Sequence, residues 1–497
     1  MSKEVVIIGA GPGGLATAVL TAAAGHRVTV LEKLPFSGGR TSTLRGGDFK
    51  FDLGPTFFLY PRVLEEIFNT AGADLHTAVP MTRLDPQYRI IFDSPDPSAV
   101  VHIDATANMA TMEREISRIA PQDAPGFRRF MEENRQKFDS FRGVMESEFT
   151  GWRDVLNPTI LGLLPHLQPH LHLDSYLKRF FKDPRVRTAF SFQSKYLGMS
   201  PFRCPSLFSI LSFLEYEHGV FHPTGGCGAV TTALADLAKS LGVEIRLNEP
   251  VTGLKFDKSR VTGVTTGCAD YSADAVVMNA DFARGIQHLV PDHLRPSWSN
   301  RKIAKKRFSC STFMLYLGID GTSPGIPHHT IRIAGDYKAN LREIDQHRLP
   351  GEDPSFYIQN PCVTDSTLAP AGKSTLYLLA PVSNQVAKTD WKIEAPMMRR
   401  RLLEKAAALG FEDLERRIEF EKIITPDDWD SQYDIHLGAT FNLAHTFPQM
   451  LHLRPQNRFQ DIPGLYLTGG GTHPGSGLPV IFESARITSR LLSEDFG

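Results

Sequence analysis

The sequence predicts an α/β chain of at least two domains: a Rossmann-like nucleotide-binding domain, and a second domain with one mixed sheet and a helical cap. Three observations predict it. Residues 5–33 read as strand, glycine-rich turn, helix, strand and terminal acid, in that order. Residues 462–492 hold a second glycine-rich strand-to-helix turn at the far end of the chain. A chain of 497 residues is also too long for one compact core.

Residues 5–8 are a continuous apolar run, as a parallel strand buried on both faces requires. Gly9, Gly11 and Gly14 follow with G-x-G-x-x-G spacing. The first allows a tight turn, the second lets backbone approach a pyrophosphate, and the third lets helix pack closely on strand. Residues 15–24, rich in Ala and Leu, are predicted to form the helix whose positive end faces the phosphates. Gly25 ends it and residues 27–31 make the next strand. Glu32, followed by Lys33, stands at that strand's end, where a carboxylate accepts hydrogen bonds from ribose hydroxyls. Strand, helix, strand and acid together mark a dinucleotide site. They do not separate FAD from NAD.

Further segments extend the site. Gly38, Gly39 and Arg40 supply a second close backbone approach beside a fixed cation, which suits a diphosphate. Asp52, Leu53, Gly54, Pro55 and Thr56 form a rigid small-residue turn. Near the C-terminus, residues 465–468 read as a buried strand, residues 469–471 as a tight approach, and residues 480–492 as a helix. Such a turn aims backbone N–H groups at a bound phosphate. Mid-chain, residues 229–241 read as a helix, and residues 244–247, 251–256, 261–265 and 275–280 as strands.

These motifs resemble the flavin-containing amine oxidase superfamily and, within it, the carotenoid (phytoene-type) desaturases and related oxidases. The resemblance covers essentially the whole chain, strongly at both ends. It implies FAD as the cofactor, with Gly469 and Gly470 near its phosphates, Leu478 and Pro479 near the isoalloxazine, and the Val251 backbone against the adenine. The expected FAD set is therefore Gly9, Gly11, Gly14, Glu32, Lys33, Gly39, Arg40, Gly54, Pro55, Thr56, Val251, Gly469, Gly470, Leu478 and Pro479. The FAD domain is expected to combine residues 1–78, 223–290 and 454–497; residues 79–222 and 291–453 would form the substrate domain with its helical, membrane-facing cap.

By the same resemblance, the implied activity is FAD-dependent desaturation of a long acyclic isoprenoid such as phytoene or diapophytoene, in carotenoid biosynthesis. With one dinucleotide fingerprint, the electron acceptor would be oxygen or a membrane quinone. Val480 follows Pro479 where the commonest desaturase form has a glycine, which keeps a carotenoid terminal-methyl oxidase open. Amine oxidases and protoporphyrinogen oxidase share the fold, but the segment from His473, Pro474 and Gly475 to Leu478 and Pro479 favours carotenoids. The intact glycines and Glu32 argue against a non-catalytic prenyl-binding escort related to Rab GDP-dissociation inhibitors. No catalytic base is identifiable; Thr472, His473 and Asp52 are candidates for groups near the flavin.

Composition excludes other classes. At 41% hydrophobic and 22% charged, the chain has an ordinary globular composition. A net charge of −1 gives no footprint for nucleic acid. The five cysteines are scattered without C-x-x-C spacing, which points to a reducing cytoplasm, and the first strand begins too early for a signal peptide. No run reaches the roughly 18 apolar residues of a spanning helix. Residues 158–181 and 204–221 are nevertheless apolar and aromatic, with Lys178, Arg179 and Lys182 beside Phe180 and Phe181, so a peripheral membrane contact is expected there. His166, His170 and His172 are expected at the surface or a lipid interface, with no metal, because two of them adjoin prolines. Residues 301–308 read as a solvated basic face, and residues 391–409 as a surface helix with a basic patch at 399–401.

Overall fold

The structure is a computed structural model that describes residues 1–93, 101–149, 154, 168 and 171–497. Five parallel strands carry its nucleotide-binding half. Across the sheet their order is Glu244–Arg246, Arg27–Leu31, Glu4–Ile8, Ala275–Met278 and Leu465–Leu467. They come from the start, middle and end of the chain, so this sheet closes only when distant segments meet. The strand order switches sides at Glu4–Ile8, and a crevice at the carboxyl ends of the strands beside such a switch is where open α/β sheets bind ligands.

Alternation explains the continuous apolar runs. Val5, Ile7, Val28, Val30, Ala275 and Val277 pack under the helices Pro12–Ala23, Cys227–Ser240 and Leu478–Phe496. Val6, Ile8, Val276, Met278, Leu465 and Leu467 face the antiparallel sheet Val251–Asp257, Arg260–Thr266 and Asp270–Ser272. Two helices begin earlier than expected. Pro12 and Pro479 each sit in a first turn, where the missing N–H is no loss and the fixed φ suits a helix.

A seven-stranded mixed sheet forms the second half, in the order Ile418–Ile424, Ser311–Asp320, Lys373–Val382, Phe356–Gln359, His329–Ile333, Tyr88–Phe92 and Val101–Ala105. Its pairings are antiparallel except where Tyr88–Phe92 meets His329–Ile333. In Ser311–Asp320 the period of two divides the side chains cleanly. Phe313, Leu315, Leu317 and Ile319 face the helix Trp391–Ala408, while Met314 and Tyr316 face Phe49 and Phe51 of a hairpin from the nucleotide-binding half. The expected surface helix is thus a cover for this sheet. Trp391, Met398 and Leu402 are buried, and Arg399 is paired with Glu421 and Glu415 and Arg401 with Glu352, which leaves little of a basic patch.

Helices Met109–Ile119, Ala124–Met145, Leu173–Leu177, Pro184–Ala189 and Ser209–His218 cap one end of the mixed sheet. Among the described residues, this corrects the expected place of the lipid contact. Phe180, Phe181, Leu207, Ile210 and Phe213 are buried in the cap's own core. Arg179 pairs with Glu133 and Lys178 with Asp174. The apolar sequence there specifies packing. Residues 158–167, 169 and 170, with Pro165, His166, Pro169 and His170, lie outside the described residues. All five cysteines are free thiols, and no helix among the described residues is long and apolar enough to cross a membrane.

Candidate functional site

One cavity of about 650 Å³ opens at the carboxyl ends of the parallel strands and runs on beneath the helical cap. That volume is typical of a small-molecule site. Of the fifteen residues selected from sequence, Gly9, Gly11, Glu32, Lys33, Gly39, Arg40, Gly54, Pro55, Thr56, Val251, Gly469, Gly470, Leu478 and Pro479 line it. Gly14 stands behind the wall, where a Cβ would lie 2.2 Å from the Gly9 carbonyl oxygen.

Asn279 holds the polar end together, and sequence reading gave it no role. It ends the strand Ala275–Met278 and its Nδ2 donates to Gly9 O at 3.1 Å. A Cβ on Gly13 or Gly469 would approach its Oδ1 to 2.8 Å. Gly469 also has a φ of +101°, a backbone conformation that favours glycine. Both glycine loops therefore wrap one amide side chain. Arg454, which is 1% exposed, fastens the second loop by donating to Thr472 O, Gly470 O and Leu443 O at 3.0, 2.8 and 3.4 Å. Burial lowers its guanidinium to about 9, and among the described residues no carboxylate pairs with it.

The remaining polar groups fit an adenine dinucleotide. Glu32 accepts the Ala10 amide at 2.7 Å and the Leu34 amide at 2.9 Å, which fixes its carboxylate at the strand end. Burial raises its pKa, and those two hydrogen bonds oppose the rise. Arg40 donates to Thr440 O at 2.6 Å; burial lowers its pKa while Asp281 opposes this. Gly39 faces Gly11 so closely that a Cβ would lie 3.5 Å from the Gly11 Cα, and side chains there would fill the groove left for a diphosphate. Helices Pro12–Ala23 and Leu478–Phe496 both start at the cavity and turn their N-termini toward it. Lys33 is otherwise engaged, with Nζ 2.6 Å from Asp434 Oδ2.

Beyond Thr56 the wall becomes apolar. Tyr377 donates to Gly54 O at 2.8 Å and Tyr316 Oη to Leu53 O at 2.5 Å, so the mixed sheet fixes the 53–56 turn. Leu211, Leu214, Ile331, Ile333 and Leu341 line the arm under the cap. Thr472, His473 and Asp52 do not line the cavity. All three are buried behind it, His473 on Ser147 O and Asp52 near Gly228 N and Gln359. Tyr357 and Tyr377 face the cavity instead, and no local motif marks either of them.

The model of the flavin containing amine oxidoreductase family matches residues 12–493. A 4,4'-diapophytoene desaturase (4,4'-diapolycopene-forming) of Methylomonas sp is 38% identical, with 99% of this chain and 96% of that protein covered. A zeta-carotene-forming phytoene desaturase of Myxococcus xanthus is 37% identical, covering 99% of this chain and 94% of that protein. The solved structure of a putrescine oxidase bound to putrescine superimposes with a TM-score of 0.63 at 14% identity, over 100% of this chain and 99% of that one. A glycine cradle at the switch point, matched over nearly the whole length, agrees with these likenesses: the chain belongs to the flavin containing amine oxidoreductase family and, within it, to the phytoene-type carotenoid desaturases.

Proposed function

We propose that the protein is an FAD-dependent desaturase of a long acyclic isoprenoid, such as phytoene or diapophytoene, in carotenoid biosynthesis. The observation that carries this reading is the form of the cavity: a glycine-walled polar end continues without a break into an apolar arm under the helical cap. A diapophytoene desaturase and a phytoene desaturase among the relatives point to the same substrate class.

When bound, FAD would supply the oxidising power for removing a hydride from one carbon while the neighbouring carbon loses a proton. The chain's own work is to bind, orient and keep out water. Gly9, Gly11, Gly39, Gly469 and Gly470 would leave room for the diphosphate, Glu32 would take the ribose hydroxyls, and Val251 would border the adenine. Leu478 and Pro479, with Gly54, Pro55 and Thr56, line the cavity where they would hold the ring system. The apolar arm holds the polyene chain in line with that ring, and its hydrocarbon walls need few polar groups. Residues 1–78, 223–290 and 454–497 act as the FAD domain and residues 79–222 and 291–453 as the substrate domain. In support, all five parallel strands fall in the first set and all seven mixed-sheet strands in the second.

A hydrocarbon of this length does not dissolve in water, so the cap serves as a membrane-facing collector and attachment is peripheral. The test is anaerobic incubation of the FAD-loaded protein with phytoene or 4,4'-diapophytoene in liposomes, followed by product analysis. A product with added double bonds is expected. An oxygenated terminal methyl group, formed only when oxygen is admitted, would instead mark the oxidase.

A further inference from the structure

A chain of polar side chains leads out through the cavity wall. Thr56 and Tyr357 line the cavity, and their hydroxyls are 2.8 Å apart. Tyr357 Oη is 2.7 Å from Nδ1 of His329, which is fully buried behind the wall with its ring stacked on Phe57. Among the described residues, His329 Nε2 has no hydrogen-bond partner. The rings of His329 and His328 lie 4.4 Å apart, and those of His328 and His222 4.6 Å apart. His328 Nδ1 is 2.9 Å from Thr364 Oγ1. These two residues line a second cavity of about 280 Å³, and its rim residues Arg83, Asp85 and Val363 are exposed.

Two carboxylates flank the three imidazoles. Asp365 Oδ2 is 3.1 Å from His222 Nε2, and Asp52 Oδ2 accepts from Gln359 Nε2 at 3.4 Å. That same Gln359 nitrogen is 3.4 Å from His328 Nε2. Burial resists ionisation of Asp365, but hydrogen bonds from His222, Thr367 and the Gly225 amide outweigh it and keep its carboxyl below the usual range. Burial, helped by neighbouring imidazoles, lowers His328 and His329 well below the ordinary value. The cluster is not a metal site: among the described residues no group of histidine, cysteine and carboxylate side chains can hold an ion.

We propose that Tyr357, supported by Thr56, takes up the proton that the substrate loses and hands its own proton to His329. This rests on the desaturase reading above and adds the route it lacks. A hydride leaves one carbon for FAD, the oxidant. At the adjacent carbon the C–H bond breaks, its electron pair becomes the new double bond, and its proton goes to Tyr357 Oη. The proton already on Tyr357 moves to His329 Nδ1, which leaves His329 with a proton on each ring nitrogen. Tyr357 therefore donates to an unprotonated Nδ1, and His329 rests with its proton on Nε2. The stacked Phe57 keeps the imidazole away from the hydrocarbon, so the tyrosine hydroxyl is the contact point.

The test pairs kinetics with spectroscopy on the FAD-loaded protein. Tyr357→Phe removes one hydroxyl and keeps the ring, so FAD content and melting temperature are expected to match the parent. Anaerobic flavin bleaching by polyene in liposomes should slow by about 10²- to 10⁴-fold, the usual worth of a positioned acid or base. Heavy water should slow bleaching in the parent and not in the variant. Separately, ¹⁵N-histidine spectra should show His329 protonated at Nε2 only, with its Nδ1 signal moving in Tyr357→Phe. Bleaching as fast in the variant as in the parent, or a proton found on Nδ1, would overturn the relay. Failure of the parent to bleach with any polyene would overturn the desaturase reading itself, while the His329 spectrum still decides the hydrogen-bond chain.

Discussion

Asn279 Nδ2 donates to the carbonyl oxygen of Gly9 across 3.1 Å, and this bond joins the middle of the chain to its first glycine turn. Its Oδ1 also lies where a Cβ on Gly13 or Gly469 would intrude, so one side chain sets the spacing of both glycine loops. Asn279→Ala should leave the Gly9 carbonyl unpaired and the loops unsupported. The expected loss is about 1–3 kcal/mol of stability, together with reduced FAD content. A melting curve and a flavin-to-protein ratio both equal to the parent's would show that the loops hold themselves.

Gly14 and Gly11 should fail differently. A Cβ at Gly14 falls 2.2 Å from Gly9 O, inside the protein, so Gly14→Ala should cost about 1–3 kcal/mol or more even without cofactor. At Gly11 the nearest atom to a Cβ is Asn279 Nδ2 at 3.0 Å, and the residue faces the cavity. Gly11→Val should therefore abolish FAD binding while the apoprotein melts within a few degrees of the parent. Full flavin loading of that variant would remove the diphosphate from the first glycine turn.

What the sequence made legible follows from locality. Gly9, Gly11, Gly14 and Glu32 lie within one strand–helix–strand unit, so their spacing alone carries the geometry. Gly469 and Gly470 repeat that logic at the other end. Asn279 and Tyr357 gave no comparable signal, because each acts across the fold on a partner far away in sequence, Asn279 on Gly9 and Tyr357 on Thr56, while Arg454 reaches Leu443 and Gly470 across loops with no regular spacing. Phe180, Phe181 and Phe213 misled for a related reason. An aromatic run fits a lipid surface and a buried core equally well, and only packing against Phe130, Phe190 and Phe138 decides for the core. His473 beside its proline looked like a site residue, but its imidazole is turned to Ser147 O.

Glu215 makes stability depend on pH. It is fully buried, its Oε2 accepting from Tyr88 Oη at 2.9 Å and Gln193 Nε2 at 3.0 Å. Burial raises its pKa from 4.5 to about 7, with those hydrogen bonds opposing the rise. Between these values the folded state binds more protons than the unfolded state, so stability falls as pH rises through this window and stays reduced above it. Glu215→Gln removes the titration, and the unpaired Oε1 atoms of Gln87 and Gln193 offer acceptors for the new amide. Relative to the parent, the variant should gain roughly 3 kcal/mol between about pH 5 and about pH 8. Denaturant melts at both pH values check this; a stability difference independent of pH would place the Glu215 carboxyl near its ordinary value.

Electrons should leave without a nicotinamide. The glycine fingerprint at residues 9–14 serves the one parallel sheet among the described residues, and its cradle is taken by FAD in the reading above. Reduced flavin is expected to be reoxidised by oxygen or by a quinone, with multiple turnovers in the complete absence of NAD⁺ and NADP⁺. A strict requirement for either nucleotide in a purified, FAD-saturated assay would contradict this account of the cofactor site.

With Phe180, Phe181 and Phe213 buried, the proposed membrane contact is sought among described side chains that reach the surface. Phe447 is 44% exposed and Leu453 42%, and between them Met450 and Leu451 pack against the core of the cap. This places two large apolar groups beside the layer that covers the apolar arm. Neither residue lines the cavity, so changing them leaves the FAD cradle untouched. Burial of a large apolar side chain is worth about 1.5–3 kcal/mol, and exchanging it for a carboxylate adds repulsion from an anionic surface. Phe447→Asp combined with Leu453→Asp should lower cosedimentation with liposomes about ten-fold or more, and should slow turnover of membrane-embedded polyene in parallel. Flavin content should stay constant. In the parent, attachment should weaken only partly at high salt, because apolar burial is not screened as charge contacts are. Unchanged liposome binding in the double variant would move the contact elsewhere on the surface, and parent protein that never cosediments would separate polyene collection from the bilayer altogether.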